Sequence, residues 1–329
     1  MRLAIIGTGY WGTNHARVAT ELAADGKIDK TVFCDIDEDR VTELASNYGV
    51  DYVTDYRELF SAVDCAVVAT PSHTHRDIAH RLLENGVDCL VEKPLAMDSD
   101  TAYEIVDTAE RENQTLAVGH IFRHHPALQA LKEKIDRGDL GRIKYLHTNR
   151  YSFRVPRDSS GVLHQLAVHD IDIYRYLLGK HPERIFCSTN SWAGSQTEET
   201  AALTLEYGET VATINESWQV PVFGKQRELI VVGTERAVYI DYLKDTELEV
   251  YDARILQSDK GYRAIDEGVT IHETKEAEPL REEVVDFLNA VESGDSPLAD
   301  GKVGAEAVEL IEDAIESNKN NQSIPVTMQ

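Results

Sequence analysis

Basic residues are scarce in this chain of 329 residues. Lysine and arginine number 33 against 58 aspartates and glutamates, a formal charge of −25. Such a surface repels nucleic acid and anionic membrane, so neither is an expected partner. It also repels itself unless salt screens it, which leads us to expect a halophilic protein; an ordinary acidic protein is the alternative. Cysteine is sparse too. Cys34, Cys65, Cys89 and Cys187 are scattered, and three of them sit at the ends of apolar runs, as small buried hydrophobes rather than disulfides or metal ligands. No apolar run reaches the ~20 residues of a membrane-spanning helix. No charged-then-apolar leader opens the chain, and the expected location is cytoplasmic. Zinc-ligand spacing is missing as well: His73-Thr74-His75 reads as a loop pair, and no metal is expected. What remains is a globular composition, 42% hydrophobic and long enough for two domains.

Arg2 to Ile6 reads as a short buried strand, followed by Gly7-Thr8-Gly9-Tyr10-Trp11-Gly12 and a helix to about Ala24. This is G-x-G-x-x-G between a strand and a helix. The first glycine permits the tight turn, the second lets backbone approach a pyrophosphate, and the third lets helix pack on strand. The second strand, Thr31 to Cys34, ends in Asp35, 23 residues beyond Gly12. A carboxylate there accepts hydrogen bonds from the adenosine ribose and repels a 2′-phosphate. With Ile36 and Asp37 following, not arginine, NAD is favoured over NADP. The competing role for Asp35 is a helix N-cap, for which Asp37 is the rival candidate. Further strands at 64–69, 87–91 and 115–118 alternate with helices at 73–84 and 99–112, the pattern of a doubly wound parallel sheet.

After Gly119-His120 the pattern changes. Helices at 126–137 and 162–178 accompany a long period-two strand at 142–154 and further alternating runs to about 241. These predict an α+β domain with a mostly antiparallel open sheet. Two late helices, near 278–292 and 303–317, close the fold. The predicted division is 1–122, a dinucleotide-binding domain, and 123–329, a substrate-binding and oligomerisation domain.

Two groups stand out as chemistry. Lys93 follows the buried run Val87–Val91 and precedes Pro94, which cannot continue a strand and leaves both isomers of its peptide bond open. A lysine on that bend lies beyond the carboxyl end of a strand, where open α/β sheets bind ligands; a loop lysine in a surface ion pair is the alternative. On helix 162–178, Gln165, His169 and Asp172 are spaced to share one face, with His169 a candidate acid/base. The two could meet only if the second domain covers the cofactor cleft.

Gly7–Gly12, Asp35, Ala69-Thr70-Pro71, Glu92-Lys93-Pro94 and Leu166-Ala167-Val168-His169-Asp170-Ile171-Asp172 together resemble the glucose–fructose oxidoreductase / inositol dehydrogenase / MocA (Gfo/Idh/MocA) family over essentially the whole chain. The stretch Gly119-His120-Ile121-Phe122-Arg123, with Pro126-Ala127, is similar to the branch that oxidises the 3-hydroxyl of UDP-N-acetylglucosamine. The resemblance implies that Lys93 and His169 flank the reacting carbinol beside a nicotinamide. It implies a cofactor set of Gly7, Thr8, Gly9, Tyr10, Trp11, Gly12, Asp35, Ile36, Thr70, Pro71, His75, Glu92 and Lys93, and a homo-oligomer, a dimer or tetramer. One position departs from the family. An aspartate usually stands four residues before the histidine, and here it is Gln165, which keeps the hydrogen bonding but not the charge.

The expected function is NAD-dependent oxidation of a sugar's secondary hydroxyl. Lys93 is brought toward neutrality by the positive nicotinamide, and His169 serves as acid/base or shares that role. Arg150, Arg154 and Arg157, with Arg123, form a local basic group in an acidic chain and point to an anionic sugar nucleotide; pairing with the protein's own carboxylates is the alternative. The expected substrate set is Lys93, Arg123, Arg150, Arg154, Arg157, Gln165 and His169. A neutral polyol or aldose remains open as substrate, as does a non-catalytic NAD-binding regulator on the same fold.

Overall fold

Short apolar runs and amphipathic helices alternate through the first 120 residues, and they fold into a parallel sheet. Its strands are β1 (Arg2–Ile6), β2 (Lys30–Cys34), β3 (Asp51–Val53), β4 (Cys65–Val68), β5 (Asp88–Val91) and β6 (Leu116–Val118), in the order β3-β2-β1-β4-β5-β6. This is the order of a dinucleotide-binding fold, with its reversal between β1 and β4. Helices α1 (Tyr10–Ala24), α2 (Glu38–Tyr48), α3 (His75–Glu84) and α4 (Ser99–Glu112) cover its faces. β3 has no counterpart in the sequence reading: it is three residues long and none of them is buried, so no apolar run marks it. The structure is a computed structural model that describes every residue except Asp158, Ser159, Ser195, Val222, Phe223, Asp245, Lys260 and Gln329, and the side chain of Ser258.

The rest of the chain contributes α5 (Pro126–Asp136), β7 (Ile143–Tyr151), and a π-helical turn Leu163–Ala167 that runs into α6 (Val168–Leu178). Then come β8 (Arg184–Asn190), β9 (Thr200–Tyr207), β10 (Thr210–Ser217), β11 (Gln226–Gly233), β12 (Ala237–Asp241), β13 (Glu247–Ser258), β14 (Gly261–Glu273), α7 (Pro279–Ser293), α8 (Gly301–Asn320) and β15 (Ile324–Pro325). The nine-stranded sheet has the order β14-β13-β12-β11-β7-β10-β9-β8-β15, antiparallel throughout except where β7 meets β10. The β13–β14 hairpin escapes sequence patterning because β14 is exposed along almost its full length, so no buried face imposes an alternation.

Two units result: Met1–Ile121 with Glu278–Val308, and Phe122–Ala277 with Glu309–Gln329. The predicted division into 1–122 and 123–329 therefore needs a correction, because Glu278–Val308 packs with the first unit. On α7, Leu280, Val284, Phe287 and Leu288 share one face and are buried with Leu3, Ile5, Val18, Leu22 and Val67, completing that side of the sheet. Gly301 and Gly304 lie against β6. A Cβ on either would come within 2.5 Å of Leu116 or Val118 side-chain atoms, so glycine is needed for the approach. Helical periodicity identifies α7 but not the sheet it covers. The four cysteines are buried and free. Among the described residues no helix is long and apolar enough to cross a membrane, and no cluster of ligating side chains could hold a metal ion.

Candidate functional site

In the first unit, the three glycines of the opening turn have three different surroundings. Gly7 has φ +87°, and a Cβ there would meet Ala69 O at 2.7 Å. A Cβ on Gly12 would overlap Gly7 O at 1.7 Å, so this glycine is what lets α1 seat against the turn. Gly9, the N-cap of α1, faces open space, and no side chain caps the helix. The N–H groups of the first helical turn are thus left for a phosphate. Tyr10, Trp11 and Ile36 are exposed, Trp11 the least of the three. At the end of β2, the buried Asp35 accepts hydrogen bonds from Thr8 N (2.7 Å), Thr8 Oγ1 (2.8 Å) and Asp37 N (3.0 Å). Burial works to raise its pKa, but those bonds and the nearby Arg40 outweigh it, and the carboxyl is held below its usual range. Asp37, not Asp35, caps α2. The sequence reading missed Arg40, whose Nη1 lies 3.4 Å from Asp35 Oδ2; five residues downstream, it reaches back because α2 turns it toward β2. These surroundings fit a dinucleotide: Gly9 and the first turn of α1 could hold its pyrophosphate, and Asp35 its ribose.

Lys93 follows β5, and the Lys93–Pro94 peptide is cis. Glu92 is buried beside it. One carboxylate oxygen takes the Lys93 N–H (3.2 Å) and the other meets His15 Nε2 on α1 (2.9 Å). Burial pulls the Glu92 pKa up; the His15 bond and the charges of His15, Lys93 and His75 outweigh it, and the net direction is down. Glu92 is thus a buried carboxylate that supports Lys93. His15 went unnoticed in the sequence, where its only signal is a polar side chain on the buried face of α1. Glu283 on α7 is also buried, and burial followed by the charges of Glu92 and Asp286 pushes its pKa well above the usual range. Thr70 and Pro71 lie on the loop after β4, where Thr74 Oγ1 donates to Pro71 O (2.7 Å). His75 needs a correction. It is only 1% exposed, and both its ring nitrogens face main-chain carbonyls, which closes it to a cofactor.

In the second unit, His169 stands on α6 just after the π-helical turn, 8% exposed, with its ring edge-on to Phe122 at 5.0 Å. The predicted common face of Gln165, His169 and Asp172 assumed α winding throughout; over Leu163–Ala167 the winding is π, and regular α winding begins at Val168. Gln165 Nε2 donates to Ser160 Oγ (2.6 Å), and its oxygen accepts from Arg157 Nη1 (3.2 Å). Asp172 is fully buried and held by Arg123 through bonds of 2.7 and 3.0 Å.

The four arginines divide. Arg123 pairs with Asp172, and Arg150 is buried against Asp170 with bonds of 2.6 and 3.0 Å. Arg150 also lies over the rings of Phe122 (4.2 Å) and Tyr242 (5.1 Å). Both arginines move from the substrate set to internal ion pairs, because α6 carries two inward carboxylates that need neutralising. Arg154 and Arg157 are exposed, Arg154 stacking on Trp218 at 4.9 Å. Burial and then Arg157 pull the Arg154 pKa down. Lys225, absent from the predicted set, is pulled down by burial and by Arg227, Arg150 and Arg154. Among the described residues, no carboxylate lies within ion-pair distance of Arg154, Arg157 or Lys225.

Comparison with known proteins identifies the family. Residues 1–120 match the profile described as "Oxidoreductase family, NAD-binding Rossmann fold", and residues 132–328 match "Oxidoreductase family, C-terminal alpha/beta domain". The chain is 30% identical to UDP-N-acetylglucosamine 3-dehydrogenase of Acidithiobacillus ferrooxidans, covering 92% of this chain and 93% of that one. It is 24% identical to myo-inositol 2-dehydrogenase of Thermotoga maritima, covering 98% of each. A solved levoglucosan dehydrogenase in complex with NADH shares the fold, with a TM-score of 0.86 at 20% identity over the full length of both chains. The chain belongs to the Gfo/Idh/MocA oxidoreductase family, with an NAD-binding Rossmann domain and the family's C-terminal α/β domain.

Proposed function

We propose that this protein oxidises a secondary hydroxyl of a sugar that carries an anionic group, a sugar nucleotide of the UDP-N-acetylglucosamine type, with NAD as the hydride acceptor. When bound, the nicotinamide takes the hydride from the carbinol carbon. Lys93 hydrogen-bonds the substrate hydroxyl and helps drive its proton off. His169 receives that proton as the carbon–oxygen double bond forms. Asp35 selects the ribose that carries no 2′-phosphate.

The observation that carries the substrate class is the grouping of Arg154, Arg157 and Lys225 without carboxylate partners among the described residues, in a chain of −25. Cations left together against such a background lower each other's proton affinity, which an anion relieves. The likeness to the UDP-N-acetylglucosamine enzyme over 92% of the chain points the same way. A second reading, an inositol-type neutral polyol, is favoured by the internal pairing of Arg123 and Arg150, which removes two of the four candidate cations. Mass spectrometry of ligands released from the purified protein separates the two. NAD(H) together with a nucleotide sugar is the expected result; NAD(H) with a neutral polyol contradicts the sugar-nucleotide reading.

A further inference from the structure

The main chain around Lys93 is held from both sides. Ahead of it, Glu92, itself anchored by His15, accepts the Lys93 N–H. Behind it, Pro94 O lies 3.0 Å from His75 Nδ1. The opposite corner of the same ring, His75 Nε2, lies 2.9 Å from Thr70 O, on the loop after β4 that packs against Gly7. One buried imidazole thus spans from the cofactor loop to the lysine bend.

Both of its partners are carbonyl oxygens, which only accept. A neutral imidazole has one N–H and one lone pair, so it can donate to only one of them and sets lone pair against lone pair at the other. A protonated ring donates to both. We propose that His75 is a positioning residue that ties Thr70 to Pro94 and so fixes the backbone beside Lys93, with both ties made at once only by the protonated ring. Its consequence for turnover rests on the reading of Lys93 as the catalytic lysine.

Burial opposes the proton and pulls the His75 pKa down; the carbonyls of Thr70, Pro94 and Leu95 and the carboxylate of Glu92 oppose that pull. Glu92 is the charged group that acts on the ring. The proton decides the count of ties: both at low pH, one as pH rises through the ring's titration.

The test uses the full chain with no substrate, so a failed sugar assay leaves it intact. Histidine side-chain nitrogen NMR is recorded across a pH series, with His75→Gln identifying the His75 signals. Amide hydrogen exchange is followed over the same series in the segments holding Thr70 and Lys93, corrected for the intrinsic pH dependence. We expect both His75 nitrogens protonated at the acid end and one at the alkaline end. Exchange in the segment whose tie is lost should rise about tenfold at the same midpoint, the loss of roughly one hydrogen bond, while the other segment keeps its protection. His75→Gln should show the faster exchange at every pH with no step, and NADH, titrated by fluorescence, should bind it more weakly. Should that variant fail to fold, single-site labelling of the parent still reads the midpoint. A His75 ring fixed in one neutral tautomer, with flat exchange in both segments, would overturn the proposal.

Discussion

Arg150 and Asp170 face each other through two hydrogen bonds inside the second unit, the arginine 2% exposed and the aspartate fully enclosed. Glu216 is buried beside them, and burial and then the charge of Asp170 push its pKa well above the usual range. Replacing Arg150 by Met leaves Asp170 uncompensated and should cost about 3–5 kcal/mol, read by denaturant unfolding. Adding Asp170→Leu should recover most of that loss. If Arg150 bound substrate instead, Arg150→Met would raise KM and leave stability nearly unchanged.

Cofactor choice turns on Asp35 and its neighbour Arg40. Asp35→Ser removes the carboxylate and leaves Arg40 without its partner at that position. NADH affinity should fall roughly 10–100-fold, the range for a hydrogen bond to a charged group. NADPH should gain relative to it, because Arg40 can then meet a 2′-phosphate. Paired fluorescence titrations with the two reduced cofactors give the ratio, and an unchanged ratio would remove Asp35 from the ribose site.

Much of the first unit is legible in the sequence because each local signal has one physical outcome. Gly7 and Gly12 are glycines for steric reasons that G-x-G-x-x-G already expresses, and Asp35 follows from its place at a strand end. What stays hidden depends on partners distant in the chain. Nothing in the sequence says that α7 returns to cover β1 and β4, that His15 meets Glu92 across 77 positions, or that His75 turns inward. Arg123 and Arg150 look like ligand cations until α6 brings Asp172 and Asp170 to them. The π winding of Leu163–Ala167 is hidden too, because spacing arguments presume α winding.

The acidic surface has a local expression on α8. Burial, followed by Glu309, Glu316 and Glu312, raises the Asp313 pKa to about 6. A carboxyl whose folded pKa lies above its unfolded value contributes stability below the unfolded pKa, and loses it as pH rises through about 6. Asp313→Asn should therefore raise Tm at neutral pH, by roughly 1–3 °C given that the site is only half buried. The gain should vanish in mild acid.

Salt should act on the whole surface in the same sense. At −25 the self-repulsion is screened over a Debye length of about 10 Å at 0.1 M salt and about 3 Å at 1 M. Thermal melts in a sodium chloride series should rise steadily toward molar salt. A Tm that stays level across the series would contradict adaptation to high salt.

The proposed reaction is tested most directly by initial rates of NAD⁺ reduction with UDP-N-acetylglucosamine and with myo-inositol, for the parent and for Arg154→Ala/Arg157→Ala. The account predicts turnover of the nucleotide sugar at a kcat/KM at least about 100-fold above that for inositol, corresponding to two charge-assisted contacts. In the double variant KM for the nucleotide sugar should rise while kcat holds within a few-fold, the signature of lost binding away from the reacting carbon. Inositol oxidised as well as the nucleotide sugar, with the double variant indistinguishable from the parent, would contradict it.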